Sequence, residues 1–254
     1  MRTAIALILL ALATPALARD GVPPGFVYLR DVDAGIAQDM RYASFDNFVG
    51  RPLPGYDAPE CVLRRDVAEA LKRVQADLAG AQLSLKVYDC YRPTRAVRAM
   101  AQWAHDGEKA GARESATKRF FPALDKRTLF ASGYIAWQSA HSTGTAVDLT
   151  LIRLPGPSVP PFDPAARYGP CTAPAPARSP DSSLDMGTGF DCFDSRSHTA
   201  SGAIDAEQRR WRGVLVSAMR RHGFRNYFRE WWHFSYRGAT PAPAYDLPIA
   251  ARAR

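Results

Sequence analysis

The stretch Ser139-Ala140-His141-Ser142-Thr143-Gly144-Thr145-Ala146-Val147-Asp148-Leu149-Thr150 constrains this chain more than any other. Its second half alternates as a strand does, with Val147 and Leu149 toward one face and Asp148 and Thr150 toward the other. An aspartate in such a strand points into a polar cavity or is bound by something, because an unpartnered buried charge is costly. The Ser-Thr-Gly-Thr run lets the backbone bend sharply, since Gly144 can take positive φ. That bend is expected to bring His141 back beside Asp148. One imidazole and one carboxylate are two of the three protein ligands of an open zinc site. For the pair alone, a His–Asp hydrogen bond in a loop is the plain alternative.

The N-terminus speaks to compartment. Arg2 precedes an apolar run, Ala4 to Ala13, that is too short to span a bilayer, and Ala16-Leu17-Ala18 forms an A-x-A cleavage signal. Residues 1–18 are expected to be a signal peptide and residues 19–254 an exported chain, periplasmic or secreted, with no stable membrane insertion after cleavage. The formal net charge is +8, of which Arg2 leaves with the leader. The arginines are scattered rather than gathered, which argues against nucleic acid as a partner. A basic exported chain suits an anionic envelope. Four cysteines in an oxidising compartment imply two disulfides. Three pairings are open, of which Cys171–Cys192, stapling a loop, and Cys61–Cys90 are the expected ones. No C-x-x-C pair exists to suggest a cysteine metal site.

Elsewhere the periodicities set out a single domain with a core at about 26–237, without a dividing linker or internal repeat. Phe26 to Val32 reads as a strand. Arg64 to Ala79 reads as a helix, with Val67, Ala70, Leu71, Val74 and Leu78 on one face and Gly80 suited to the C′ position. Leu83 to Asp89 alternates as a strand, and Thr94 to Ala104 follows as a helix after Pro93. The period of 106–126 decides nothing. Leu154 to Ser183 is a long Pro-, Ala- and Ser-rich loop, pinned by Cys171. Asp205 to His222 carries a capping-box pair, Asp205 and Gln208, so it is a helix whose dipole His222 closes; His222 is not read as a ligand. Phe224 to Tyr236 is strand-like, and the tail beyond Gly238 is expected to be loosely ordered.

That last strand supplies the missing parts. Glu230 and His233 complete a set of two histidines and one aspartate, with a further carboxylate to take a proton from water as general base. Residues three apart in a flat strand face opposite ways, so the chain must bend or bulge between them. The intervening Trp231 and Trp232 are expected to wall the pocket. Arg92, at a strand end and locked by Pro93, is placed to stabilise charge on a carbonyl oxygen. The plain alternatives are a Glu230–Arg229 surface pair, an Arg92–Asp89 ion pair, core tryptophans and a satisfied strand histidine at 233.

Taken together, Ser-x-His-x-x-Gly-x-Ala-x-Asp-Leu-Thr at 139–150, Glu-Trp-Trp-His at 230–233 and Asp-x-Tyr-Arg-Pro at 89–93 resemble the VanX-type D-alanyl-D-alanine dipeptidases. These are zinc peptidases related to D,D-carboxypeptidases and Hedgehog-like domains. Arg41-Tyr42-Ala43 with Asp46-Asn47-Phe48, Met186-Gly187-Thr188 with Phe190-Asp191, and Arg196-Ser197-His198 match as well. The resemblance implies an α+β fold, a small antiparallel sheet flanked by helices, with one zinc ion per chain in a cleft. It implies His141, Asp148 and His233 as metal ligands and Glu230 as general base and proton carrier. Arg92 would steady the oxyanion, Ser139 would meet the substrate carboxylate, and Tyr42 with Asp191 would meet its free amine. The substrate implied is a small D,D-dipeptide or cell-wall fragment. Two features depart from the family: the export signal, which favours breakdown of such fragments outside the cytoplasm, and a longer, cysteine-bearing loop at 155–185, expected beside the pocket. The competing readings are a zinc D,D-carboxypeptidase of peptidoglycan stems, which a long open groove would favour, and a non-catalytic zinc-stabilised binding domain.

Overall fold

The computed structural model describes residues 22–106 and 117–252; the expected signal peptide lies outside them. Among the described residues no helix is long and apolar enough to cross a membrane. The chain forms β1 (Phe26–Tyr28), α1 (Leu29–Val32), β2 (Ala37–Gln38), β3 (Val62–Arg64), α2 (Arg65–Ala79), β4 (Leu83–Asp89), α3 (Thr94–His105) and β5 (Ala146–Arg153). After the long loop come α4 (Ala206–Arg221), β6 (Phe224–Tyr227) and β7 (Glu230–Tyr236). β1 pairs with β3 in a two-stranded sheet, and the main sheet has the order β2-β4-β5-β7-β6. It is antiparallel throughout except where short β2 runs parallel to β4. This is the α+β architecture that the resemblance implied.

The strand alternation sorts the sheet into two faces. Val147, Leu149 and Leu151 of β5 are fully buried and belong to the same core as Val67, Leu71 and Val74 of α2 and Leu215 and Met219 of α4. The amphipathic stripes of these two helices are what the sheet buries on that side. Asp148, on the alternate position, is left for the opposite face, where the loops and α3 gather.

Local differences from the periodicity have local causes. β1 stops after three residues, because Leu29 starts a single helical turn closed by the Asp33 N–H donating to the Leu29 carbonyl at 2.8 Å. Gly80 ends α2 in right-handed geometry (φ −62°); the left-handed residue is Gln82 (φ 55°), next to the strand. The capping box of α4 forms as its sequence demands. His222 bonds Asp77 of α2 at 2.8 Å, far from any ligand role. Both expected disulfides are present, Cys61–Cys90 and Cys171–Cys192.

The tail is more tied down than its composition suggests. The Tyr245 carbonyl accepts from the Thr94 N–H, the Tyr245 N–H donates to the Ser142 carbonyl, and Ile249 exchanges backbone bonds with Gly55 and Ala58. A segment without secondary-structure period can be ordered by backbone bonds to the domain it crosses.

Candidate active site

Three neighbouring strands deliver the site. Asp89 of β4 lies opposite Asp148 of β5, and Asp148 lies opposite His233 of β7. Two ladders beside this row are irregular. The β4–β5 register shifts between Val87 and Asp89, and the β6–β7 register shifts between Asn226 and Tyr227. Asn226 pairs with Phe234, so regular pairing would set Tyr227 against His233; Tyr227 instead meets Glu230, and residues 231–233 bulge. The bend brings Glu230 Oε2 to 4.0 Å from His233 Nδ1. Asn226 makes the bulge affordable, since its side-chain amide donates to the carbonyls of Glu230 (2.9 Å) and His233 (3.0 Å). Those carbonyls would otherwise lack ladder partners.

His141 arrives from the other side, in a tight turn over Ala140–Thr143 capped by Ser139 Oγ. Gly144 then takes φ 70°, and a Cβ there would sit 2.2 Å from the Phe26 ring, so only glycine fits. His141 Nδ1 donates to the Cys90 carbonyl at 2.7 Å. That fixes the tautomer and turns Nε2 toward Asp148 Oδ1 (3.3 Å) and His233 Nδ1 (3.1 Å). Asp148 Oδ1 lies 3.0 Å from His233 Nδ1. One donor atom from each of His141, Asp148 and His233 falls within 4.8 Å of the others.

This donor set fits a divalent metal. It offers two imidazole nitrogens and one carboxylate oxygen, leaving a position open. Each imidazole has an outer partner that orients it, the Cys90 carbonyl for His141 and Ser235 Oγ (3.5 Å) for His233. Burial pushes the His233 imidazole below the ordinary histidine range. Burial alone would raise Asp148, but His141 and His233 outweigh it and hold the carboxyl well below the usual carboxylate range. A neutral imidazole and an ionised carboxylate are the forms that bind metal.

The remaining expected residues line the same cleft of about 240 Å³: Tyr42, Arg92, Ser139, Asp191 and Glu230. Burial, reinforced by Asp148 and Asp191, pushes the Glu230 carboxyl well up. Arg229, its plain alternative partner, donates to the Ser132 carbonyl instead. The Arg92–Asp89 pair does form, through Nε (2.9 Å) and Nη2 (2.7 Å), and it coexists with a place in the cleft, 3.6 Å from Asp148 and over the Tyr42 ring. The Tyr42 hydroxyl donates to Asp191 Oδ2 at 2.8 Å. Asp191 is held at φ 55° and its carboxyl is pushed well up, chiefly by burial.

Some parts were not read from the sequence in these roles. Asp89, expected only as an ion-pair partner of Arg92, is fully buried, is bonded by Tyr56 Oη at 2.6 Å, and also stands 3.3 Å from His141 Nδ1. Its membership of the Asp-x-Tyr-Arg-Pro motif was the available signal; Tyr56, in a Pro- and Gly-rich loop, had none. Two expectations need correcting. Only Trp232 walls the cleft, while Trp231 turns to the other side and donates to Thr188 Oγ1 at 2.9 Å, because successive strand residues face opposite ways. The 155–185 loop supplies no lining residue to the cleft; it borders a separate cavity.

An α+β domain whose cleft gathers two histidines, an aspartate and a buried glutamate has the build of a metallohydrolase. The sequence matches the peptidase M15 D-Ala-D-Ala dipeptidase family over residues 23–156 and 179–251, and the chain belongs to that family of metallopeptidases. It is 34% identical over 227 residues to a D-alanyl-D-alanine dipeptidase of Enterococcus faecium, covering 89% of this chain and 98% of the relative. A D-alanyl-D-alanine dipeptidase of Streptomyces coelicolor is 32% identical with the same coverage. One of Escherichia coli is 27% identical over 81% of each chain.

Proposed function

We propose that this chain is an exported, zinc-dependent D-alanyl-D-alanine dipeptidase that hydrolyses small D,D-dipeptides or cell-wall fragments outside the cytoplasm. The observation that carries the reading is the convergence of all eight expected residues on one small cleft. His141, Asp148 and His233 would hold one zinc ion, which when bound acidifies a water and polarises the scissile carbonyl. Glu230 serves as general base: it takes the proton of the attacking water at Oε and carries it to the leaving amine. Burial raises its affinity for a proton, which strengthens it as a base toward the attacking water. Arg92, clamped by Asp89, offers fixed N–H donors to the oxygen that gains charge. Ser139 meets the substrate carboxylate.

Asp191 and Tyr42 set the length of the substrate. A buried carboxyl with one hydroxyl donor is short of partners until a substrate ammonium supplies them. A longer peptide has a neutral amide at that place and leaves the acid unsatisfied, which is how a polar pocket rejects analogues. A cleft of about 240 Å³ suits a small substrate such as a dipeptide, which supports the dipeptidase over the carboxypeptidase reading.

The test is hydrolysis of D-Ala-D-Ala beside its amino-blocked form by the zinc-loaded protein. Cleavage of the free dipeptide alone is the expected result. Equal cleavage of both would reassign the protein as a carboxypeptidase, and cleavage of neither with zinc bound would sink the catalytic reading.

A further inference from the structure

Of the three motif pieces at 186–188, 190–191 and 196–198, only Asp191 lines the catalytic cleft. The ends of this segment meet one side chain behind it, Arg212 of α4. Its Nε donates to the Met186 carbonyl at 2.8 Å, Nη1 to the His198 carbonyl at 2.7 Å and Nη2 to the Arg196 carbonyl at 2.9 Å. A single guanidinium thus ties the two ends of the segment together, with Asp191 between them.

Arg212 is an unusual choice for such a place. It is 1% exposed and makes no ion pair among the described residues. Burial pushes its pKa down to about 10, which leaves it charged at neutral pH. A buried charge without a counter-charge is unfavourable, and charge-assisted bonds to three carbonyls offset this. Those carbonyls lie outside any strand or α-helix, so no ladder satisfies them. A second set of bonds reaches the same segment. Trp231 Nε1 donates to Thr188 Oγ1 at 2.9 Å, Thr188 Oγ1 meets Ser197 Oγ at 3.1 Å, and Ser197 Oγ donates to the Cys192 carbonyl at 2.6 Å. Cys192 follows Asp191 and is stapled to Cys171. Asp191 itself sits at φ 55°, a conformation that a residue other than glycine keeps only when its surroundings hold it.

We propose that Arg212 is the positioning residue for Asp191: by clamping the ends of 186–198 it holds that carboxyl where a substrate ammonium meets it, and so sets the preference for a free amine. The inference rests on the amine-reading role given to Asp191 above. Arg212 does not line the cleft, so it acts through the segment and not on the substrate. A lysine in its place would keep the charge but not the planar fork that spans three carbonyls. A residue that only stabilised the domain would change melting without changing what the cleft prefers.

The test compares kinetics on D-Ala-D-Ala and its amino-blocked form, using the zinc-loaded protein, with native hydrogen exchange. Arg212→Lys should raise KM for the free dipeptide about tenfold with kcat within about twofold, since a contact equal in ground and transition states is lost. Its preference for the free over the blocked dipeptide should fall about tenfold. Ser197→Ala, a small change that removes the bond to the Cys192 carbonyl, should move both quantities the same way by a smaller factor, and it decides the matter if Arg212→Lys does not fold. Leu215→Ala, in the core on the same helix, should melt lower yet keep the wild-type KM and preference. Hydrogen exchange in Arg212→Lys should quicken at 186–198 while β4 and β5 stay protected. That arm does not depend on turnover: if wild type cleaved neither dipeptide, the dipeptidase reading would fail and exchange would still decide whether Arg212 holds the segment. Wild-type KM and preference in both Arg212→Lys and Ser197→Ala, an equal KM rise in Leu215→Ala, or unchanged exchange at 186–198 would each overturn the proposal.

Discussion

At the scale of single residues, the site depends on which side chains are charged before anything binds. Burial, with Asp148 and Asp191 nearby, pushes Glu230 toward its neutral form, while Asp148 is held ionised by two imidazoles. Two carboxyl groups in one small cleft are thus driven apart into acid–base and ligand duties. Glu230→Gln keeps the shape and removes the base. It should retain stoichiometric zinc and lose about 10²–10⁴-fold in kcat, the usual worth of a positioned general base. Wild-type turnover in this variant would take Glu230 out of the chemistry. These residues were legible in the sequence because each stood in a short pattern with its own logic: a strand aspartate needing a partner, a glycine at a forced turn, an arginine before a proline. Tyr56 and the Cys90 carbonyl were not, since one sits in a loop without a period and the other acts through its backbone, which no residue name reveals.

At the scale of elements, the informative places are those where a regular strand fails. A flat β7 could not have set Glu230 beside His233, so the need for a bulge was readable; that Asn226 caps the freed carbonyls was not, because an asparagine in a strand is unremarkable until its partners are known. The long loop shows the same limit. Its composition signalled an irregular segment held by a disulfide but not which wall of the molecule it joins. Its anchor is Asp181, which accepts from Arg41 Nη2 and Tyr88 Oη, both at 2.8 Å, and pairs with Lys86. Burial opposes its ionisation, yet Arg41 and Lys86 prevail and hold its carboxyl well below the usual range. The unfolded chain therefore binds a proton at Asp181 near pH 3.9, where the folded chain does not. The stability from this cluster is complete above that pH and is lost as pH falls through the lower folded value. In urea melts, wild type should exceed Asp181→Asn by a constant margin from pH 7 to about 5, with the gap closing toward pH 2. A gap that stays constant to pH 2 would mean the carboxylate charge contributes nothing.

At the scale of the molecule, the proposed metal ligands come from separate parts of the chain that the fold must first bring together. His141 sits in a turn pinned by Gly144, Asp148 lies on a central strand and His233 on its neighbour, so the site exists only when the sheet and the turn are both in place. An ion bound there would bind the folded state alone and stabilise it by mass action. At a free zinc concentration about a hundred times Kd the gain is about 2.7 kcal/mol. For a chain of this size that corresponds to roughly 5–10 °C in Tm, at about 2–4 °C per kcal/mol. Chelated protein should therefore melt lower by this amount, and adding zinc should restore it. His141→Ala should show no such response, because one ligand and the Cys90-anchored turn that presents it are lost together. An equal zinc-induced rise in the variant would place the stabilising ion somewhere other than the cleft, whereas a rise confined to wild type would tie metal, turn and sheet into one folding unit.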